Sequence, residues 1–226
     1  MEALRLDGVT KVYGSGRSRV VALRNITLSM MEGELACLMG PSGAGKTTLL
    51  KIAAGFIRPD EGSVWLMGKE ITRLGPREVM ALRNRLVGFM FQEDLLINSL
   101  TISENVELPL IARGLPRRKR KRMVSEILER LGIASLAKRK PHEVSGGERR
   151  RACLAMSIVH GPRILFADEP TSNLDTDTSL MIIEELFNLN REGTTILIAT
   201  HDELIARNIR RVILIRDGSI IDDHCG

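Results

Sequence analysis

The chain is short of the residues that mark several protein classes. It has seven aromatic side chains in 226 residues, one Trp, one Tyr and five Phe, so the stacking platforms of single-strand nucleic-acid binders have little to be made from. Its three cysteines, Cys37, Cys153 and Cys225, are scattered and odd in number. With no metal-ligand spacing among them, they predict buried or terminal thiols in a reducing compartment, not a disulfide or zinc framework. No apolar run approaches the roughly 20 residues that cross a bilayer. Runs such as 196–199 and 212–215 are strand-length. Met1 leads into Glu2 and a strand-like alternation instead of a basic and then apolar leader, which predicts no secretory signal and a cytoplasmic location. What remains, 43% apolar and 27% charged residues, suits one globular unit with a sizeable core.

The formal net charge is +5, from 33 basic and 28 acidic residues, and much of the excess sits in Arg117-Arg118-Lys119-Arg120-Lys121-Arg122. This run opens a segment whose apolar positions Met123, Val124, Ile127, Leu128 and Leu131 share one helical face. Cations at a helix N-terminus oppose the macrodipole, so the run is either a solvated face or a contact for an anionic partner such as phospholipid headgroups. No aromatics interleave it, and no specific nucleic acid is expected.

Against this background the strongest chemical signal is Gly40-Pro41-Ser42-Gly43-Ala44-Gly45-Lys46-Thr47-Thr48, a G-x-x-x-x-G-K-[ST] phosphate loop. Glycines let backbone N–H groups approach phosphate oxygens, Lys46 adds a charge for the outer phosphates, and the Thr47 hydroxyl suits a Mg²⁺ ligand position. A second anion site is read at Ser145-Gly146-Gly147-Glu148, where Ser145 caps a helix start that offers N–H groups and a positive dipole end. A third is Ile164-Leu165-Phe166-Ala167-Asp168-Glu169, an apolar strand ending in two carboxylates. Asp168 is assigned to the Mg²⁺ sphere, and Glu169 to orienting or deprotonating the attacking water. His201 closes the next strand, 194–200, where it can bridge Glu169 and the γ-phosphate.

Around these motifs, 3–12 and 20–30 alternate like an antiparallel edge sheet, with a turn at Gly14, Ser15 and Gly16. Strands are predicted at 35–39, 64–67, 87–91, 164–167 and 195–199, and a helix at 47–56 closed by Pro59. Helical periodicity takes over from 95 to 136. The fold class is therefore α/β: a phosphate-loop core with a mostly parallel sheet, an N-terminal antiparallel β subdomain and a helical subdomain carrying Ser145. One domain is expected, with 1–92 and 161–226 as core and 93–160 as the helical part. Because Lys46 lies on the sheet and Ser145 on the helical insert, both reach one phosphate only when two chains face each other head to tail, giving two composite sites from one sequence.

The order of GPSGAGKTT, Gln92, VSGGE, LFADEP, SNLD at 172–175 and His201 resembles the nucleotide-binding subunit of ATP-binding-cassette systems over the whole chain. The resemblance implies ATP and Mg²⁺ as cofactors, with Lys46, Glu169 and His201 catalytic and Thr47, Gln92 and Asp168 at the metal. It also implies that Tyr13 stacks on adenine, that Ser145, Gly146, Gly147 and Glu148 touch ATP held by the opposite subunit, and that Asp175 lies at the dimer seam. The partners it implies are a second ATPase subunit, as a homodimer, and an integral membrane permease-like protein, placing the chain on the inner face of the cell membrane.

VVALRNITL at 20–28, FQEDLLINSLTISENVELPL at 91–110 and PTSNLD at 170–175 are similar to the lipoprotein-release, macrolide-export and cell-division group. ATHDELIARNIRRVILIRDG at 199–218 leans toward the cell-division ATPase, whose membrane partner regulates wall hydrolases. Departures from the group's pattern are Val144 and Glu148 in the signature, Met156 and Ser157 for the usual Arg-Ala, and Asn98 for a frequent Pro. A soluble DNA-repair cassette ATPase would need long heptad coiled coils between loop and signature, and a small-molecule kinase would have no use for Glu169 with SGGE.

Overall fold

A computed structural model describes residues 1–225, with the side chains of Arg17, Leu204 and Cys225 outside that description, so the expectation for the Cys225 thiol falls there too. In chain order the elements are β1 (Glu2–Tyr13), β2 (Val20–Met31), β3 (Leu35–Met39), α1 (Lys46–Ala53), β4 (Glu61–Leu66), β5 (Lys69–Glu70), α2 (Pro76–Leu86), β6 (Val87–Met90) and α3 (Ile102–Ala112). They continue with α4 (Arg117–Arg130), α5 (Gly146–Ile158), β7 (Ile164–Asp168), α6 (Thr176–Arg191), β8 (Thr195–Thr200), α7 (Glu203–Ala206), β9 (Arg211–Arg216) and β10 (Ser219–Cys225).

Two sheets form. The antiparallel one has the order β2-β1-β4-β5. The larger one, β10-β9-β3-β8-β7-β6, is parallel except for the β10 edge. Its central strands are buried on both faces, which is why they read as continuous apolar runs. Leu38, Phe166 and Leu197 join a core shared with β1, β2 and α1, while Cys37, Leu165, Ile196 and Ile198 join a second core under α3, α4 and α5. Burial pushes the Cys37 and Cys153 thiols up to about 12, as inert structural cysteines require. Among the described residues no helix is long and apolar enough to cross a membrane.

Four local expectations shift. The helix after the phosphate loop stops at Ala53, not at 56, and Gly55 is what stops it instead of Pro59. Gly55 adopts φ 73°, Phe56 N donates to Lys51 O at 2.8 Å and Gly55 N to Ile52 O at 3.0 Å, the paired bonds of a left-handed helix cap. Strand β4 ends at Leu66 because Met67 and Gly68, with φ 49° and 74°, make a two-residue hairpin turn to β5. Helix α2 was not anticipated; it buries no residue fully, so its sequence carries no clear apolar stripe. The segment 92–101 is an irregular loop, not the start of the helical insert. Buried Asn105 holds it, accepting from Ile97 N at 2.7 Å and donating to the carbonyls of Ile97, Leu100 and Thr101.

The basic run occupies the first two turns of α4, whose N-terminus has no side-chain cap and no acid in its first turn. Arg120 is tied to Glu107 of α3 at 2.7 Å, and the other five cations are exposed. Val124, Leu128 and Leu131 are buried on the opposite face.

Candidate functional site

The phosphate loop links β3 to α1 at the carboxyl end of the parallel sheet. Two of its glycines are there because nothing else fits. A Cβ on Gly40 would lie 2.2 Å from Ile215 O; one on Gly45, which has φ 105°, would lie 2.6 Å from Ala22 O. Gly218 N, in the β9–β10 turn, donates to Ala44 O at 3.1 Å and fixes the loop from outside. Lys46 is 7% exposed, and its ammonium donates to Gly40 O at 2.6 Å and Pro41 O at 3.2 Å. Ala44 is buried, Pro41, Ser42 and Gly43 are exposed, and Thr47 and Thr48 are half-buried on the first turn of α1.

The two carboxylates at the end of β7 go different ways. Asp168 is 2% exposed; the Thr47 hydroxyl lies near its carboxylate, while its Oδ1 has no partner among the described residues. Burial, and then the neighbouring Glu169 charge, raise its pKa above the ordinary range. A buried carboxylate oxygen without a donor, beside a hydroxyl and a phosphate loop, fits Mg²⁺, which takes one or two carboxylates and completes its shell with phosphate and water. Among the described residues no group of three or more His, Cys, Asp or Glu could hold a metal by themselves.

Glu169 lies just past the strand with φ 46°, a left-handed conformation that a non-glycine residue keeps only when its surroundings hold it. Its N–H donates to Ala199 O at 2.8 Å. Its carboxylate accepts from Thr200 Oγ1 at 3.3 Å, lies 3.4 Å from Lys46 Nζ and has both oxygens 3.0 Å from His201 Nδ1. An ionised carboxylate only accepts, so Nδ1 carries the proton and Nε2 is left for a second partner. The His201 side chain is 65% exposed and Glu169 only 10%, so the pair runs from the interior to the surface. The structure thus brings Lys46, Thr47, Asp168, Glu169 and His201 together.

Among the described residues the remaining candidates, outside the loop, make no hydrogen bond or ion pair with these five. Ser145 is the N-cap of α5: its hydroxyl accepts from Glu148 N at 3.3 Å, and the Glu148 carboxylate accepts from Ser145 N at 2.7 Å. Two of the amides expected to be open to an anion are therefore already used, which leaves Gly146 and Gly147 at the tip of the turn. The same bond holds the Glu148 carboxyl below its usual range. The turn packs on α6, where a Cβ on Gly147 would meet Thr178 Oγ1 at 2.7 Å. Asp175 caps α6 by accepting from Thr178 N at 2.9 Å. Among the described residues no hydrogen bond or ion pair joins this turn to the phosphate loop. Tyr13, 41% exposed, ends β1 opposite Val20 and has Lys11 Nζ 5.6 Å from its ring. The same strand pair backs the loop through Ala22. Gln92 is exposed on the loop after β6.

Three features escaped the sequence. Thr200, 1% exposed, steadies Glu169. Arg150, 2% exposed on α5, donates to a ring of backbone carbonyls around both Gln92 and Glu169. Its signal was a cation on the buried face of a helix, seven residues ahead of the buried Ser157. The third is an open cavity of about 330 Å³ beside the Gln92 loop, lined by Phe56, Arg83, Phe89, Phe91, Met156 and His160. Phe56, Phe89 and Phe91 meet there edge-on or tilted, and Phe166 stands behind Phe89 at 6.3 Å, so four of the five phenylalanines form one cluster.

Known proteins resemble this chain in sequence and in fold. The family described as ABC transporter matches residues 23–172. The chain is 38% identical over 223 residues to the uncharacterized ABC transporter ATP-binding protein YknY of Bacillus subtilis, covering 99% of this chain and 97% of that one. It is 40% identical over 221 residues to the macrolide export ATP-binding/permease protein MacB 1/2 of Paracoccus denitrificans, of which it spans 33%. Among solved structures it superposes with TM-score 0.93, at 36% identity and 98% coverage of both chains, on the ATP-binding cassette MJ0796 in a dimeric post-hydrolysis state bound to ADP and Pi.

Proposed function

We propose that this chain, which belongs to the ABC transporter family, is the ATP-hydrolysing subunit of a membrane complex in which two copies close on ATP and drive an integral, permease-like partner. The observation that carries the reading is the Glu169 carboxylate, held between Lys46, Thr200 and His201 at the rim of the phosphate loop. In this reading the loop amides and Lys46 grip the β- and γ-phosphates, and Tyr13 stacks on adenine. Thr47, Asp168 and Gln92 would hold Mg²⁺, whose charge when bound would neutralise the phosphate oxygens. Glu169 orients the attacking water and accepts its proton. His201, oriented through Nδ1, turns Nε2 toward the γ-phosphate. Gly146 and Gly147 of the opposite chain complete the site, and Asp175, capping α6 beside them, lies at the seam.

ATP then acts as the linker. Charge-assisted hydrogen bonds to the γ-phosphate exist only while it is bound, so hydrolysis removes them and the two chains part. The aromatic cavity beside Gln92 is where the membrane partner is proposed to dock, because an exposed apolar hollow with Arg83 and His160 at its wall suits a protruding helix. Export or lipoprotein release is the process favoured by the MacB relative; residues 199–218 favour the second reading, in which the partner regulates wall hydrolases instead. A soluble DNA-repair role is disfavoured by the 11- and 14-residue helices α3 and α4, which leave no room for a coiled coil.

Affinity purification of the tagged chain from detergent-solubilised native membranes tests this. An integral membrane protein that co-purifies and raises ATP turnover is the expected result. A chain that hydrolyses ATP and recovers no membrane protein would contradict it.

A further inference from the structure

Arg150 is a full positive charge in the interior, 2% exposed, and its planar fork is spent almost wholly on main-chain oxygens. Nε donates to Pro170 O at 2.8 Å, and Nη2 to Glu169 O at 2.8 Å and Asp168 O at 3.4 Å. Nη1 donates to Phe91 O at 2.6 Å and Gln92 O at 3.1 Å, and lies 3.5 Å from Asp94 Oδ1. Five carbonyls from two separate segments thus converge on one side chain, which itself rises from the helix capped by Ser145. A buried guanidinium tolerates this only when every donor finds an acceptor, and its rigid fork then fixes the acceptors relative to one another.

We infer that Arg150 is a positioning residue for hydrolysis: it sets the left-handed turn at Glu169, and so the aim of its carboxylate, by clamping that turn to the Gln92 loop and to the Ser145 helix. The Glu169 conformation at φ 46° is one the residue does not favour alone. Its carbonyl is gripped by Arg150 and by Ser172, whose hydroxyl donates at 3.0 Å and whose N–H donates at 3.2 Å. Phosphate-loop contacts involve none of these groups. Arg150 also grips the carbonyls of Asp168 and Gln92, but the phosphate loop, Lys46 and Thr47 stay in place when the clamp is displaced, so the loss falls on kcat more than on KM. The same clamp gives any movement of the Ser145 helix or of the Gln92 loop a rigid path to the carboxylate.

The inference rests on Glu169 handling the attacking water, so Glu169→Gln is measured alongside. Arg150→Lys keeps the charge but replaces a five-donor fork with a point cation that cannot span both segments. ATP hydrolysis by the purified full-length variant should fall roughly 10- to 100-fold in kcat, the size expected for misplacing a reacting group by about 1 Å. KM and ATP affinity should stay within about twofold. In the Glu169→Gln background the same substitution should add no further loss, because it acts through that carboxylate. A folded Arg150→Lys with wild-type kcat overturns the inference, as does a fall in kcat matched by an equal loss of ATP affinity. If Arg150→Lys does not fold, Ser172→Ala decides. It removes the hydroxyl grip on the Glu169 carbonyl without disturbing a buried charge, and unchanged kcat there overturns the proposal. Wild-type turnover in Glu169→Gln would instead remove the site reading on which both rest.

Discussion

At the phosphate loop, four side chains from three elements meet over a few ångströms: Lys46 on α1, Glu169 past β7, and Thr200 and His201 at the end of β8. At the Ser145 turn the polar groups close on themselves, Ser145 and Glu148 capping each other and Asp175 capping the neighbouring helix. The first region gathers charge into a pocket, with a buried oxygen of Asp168 left over. The second is a finished helix end, with the amides of Gly146 and Gly147 left at its tip. A catalytic centre needs a polar atom left over for its ligand, whereas a docking edge needs to be rigid and complete before its partner arrives. The contrast is what a site divided between two copies of one chain requires.

Breaking the loop side gives the largest effect. Lys46→Ala should leave the fold intact and abolish measurable ATP hydrolysis, because it removes the loop cation proposed to meet the β- and γ-phosphates. Stabilisation of the thermal midpoint by Mg-ATP should shrink with it. Turnover near wild type would show that the loop is not the phosphate site.

Breaking the Ser145 side should look different. Ser145 is exposed, so Ser145→Arg folds, and a single chain still binds ATP with unchanged affinity in equilibrium titration. Hydrolysis falls nearly as far as in Lys46→Ala, because the long cation enters the facing chain's phosphate pocket. Loss of ATP binding in the isolated chain would place Ser145 in its own chain's pocket and erase the contrast.

Tyr13 tests a weaker contact on the loop side. Tyr13→Ala should weaken ATP binding by about 1–3 kcal/mol, the range for bases stacked on aromatic rings, while Tyr13→Phe stays near neutral by calorimetry. Equal affinity in Tyr13→Ala would make the ring a packed strand residue alone.

The smallest effect comes from a cap remote from both regions. Thr101 starts α3 by accepting from Glu104 N at 3.3 Å, and Thr101→Ala should lower unfolding stability by roughly 0.5–2 kcal/mol with ATP affinity unchanged. Its amide and hydroxyl hold the Glu104 carboxyl below the ordinary range. That contribution is therefore present above the ordinary carboxylate pKa and is lost as pH falls through the lowered one. A melting series on the acid side should show Thr101→Ala losing less stability than wild type.

The contrast was only partly legible in the sequence. Gly40 through Thr48, Asp168 and Glu169 are local signals, because a loop that cradles phosphate and a strand that ends in carboxylates are each written in consecutive residues. Arg150 is not local. Its partners lie at Phe91, Gln92 and 168–170, and only the folded chain brings those carbonyls to one guanidinium. The phenylalanine cluster is hidden for the same reason, its members standing at 56, 89, 91 and 166. Ser145 was read correctly as a helix cap, but that Glu148 would turn back and use the Ser145 amide required the geometry of the turn. Helix α2 was missed because a helix that buries nothing fully has no stripe to read.

The most direct test of the divided site is size-exclusion chromatography of Glu169→Gln. The substitution keeps the side chain's size and hydrogen-bonding reach but removes the carboxylate that takes a proton from water. Hydrolysis should fall by orders of magnitude while Lys46, Thr47 and Asp168 still hold ATP. The protein should run as a dimer with ATP and as a monomer with ADP, and adding Ser145→Arg should return it to monomer even with ATP. A Glu169→Gln protein that binds ATP to saturation and still runs as a monomer would contradict the account.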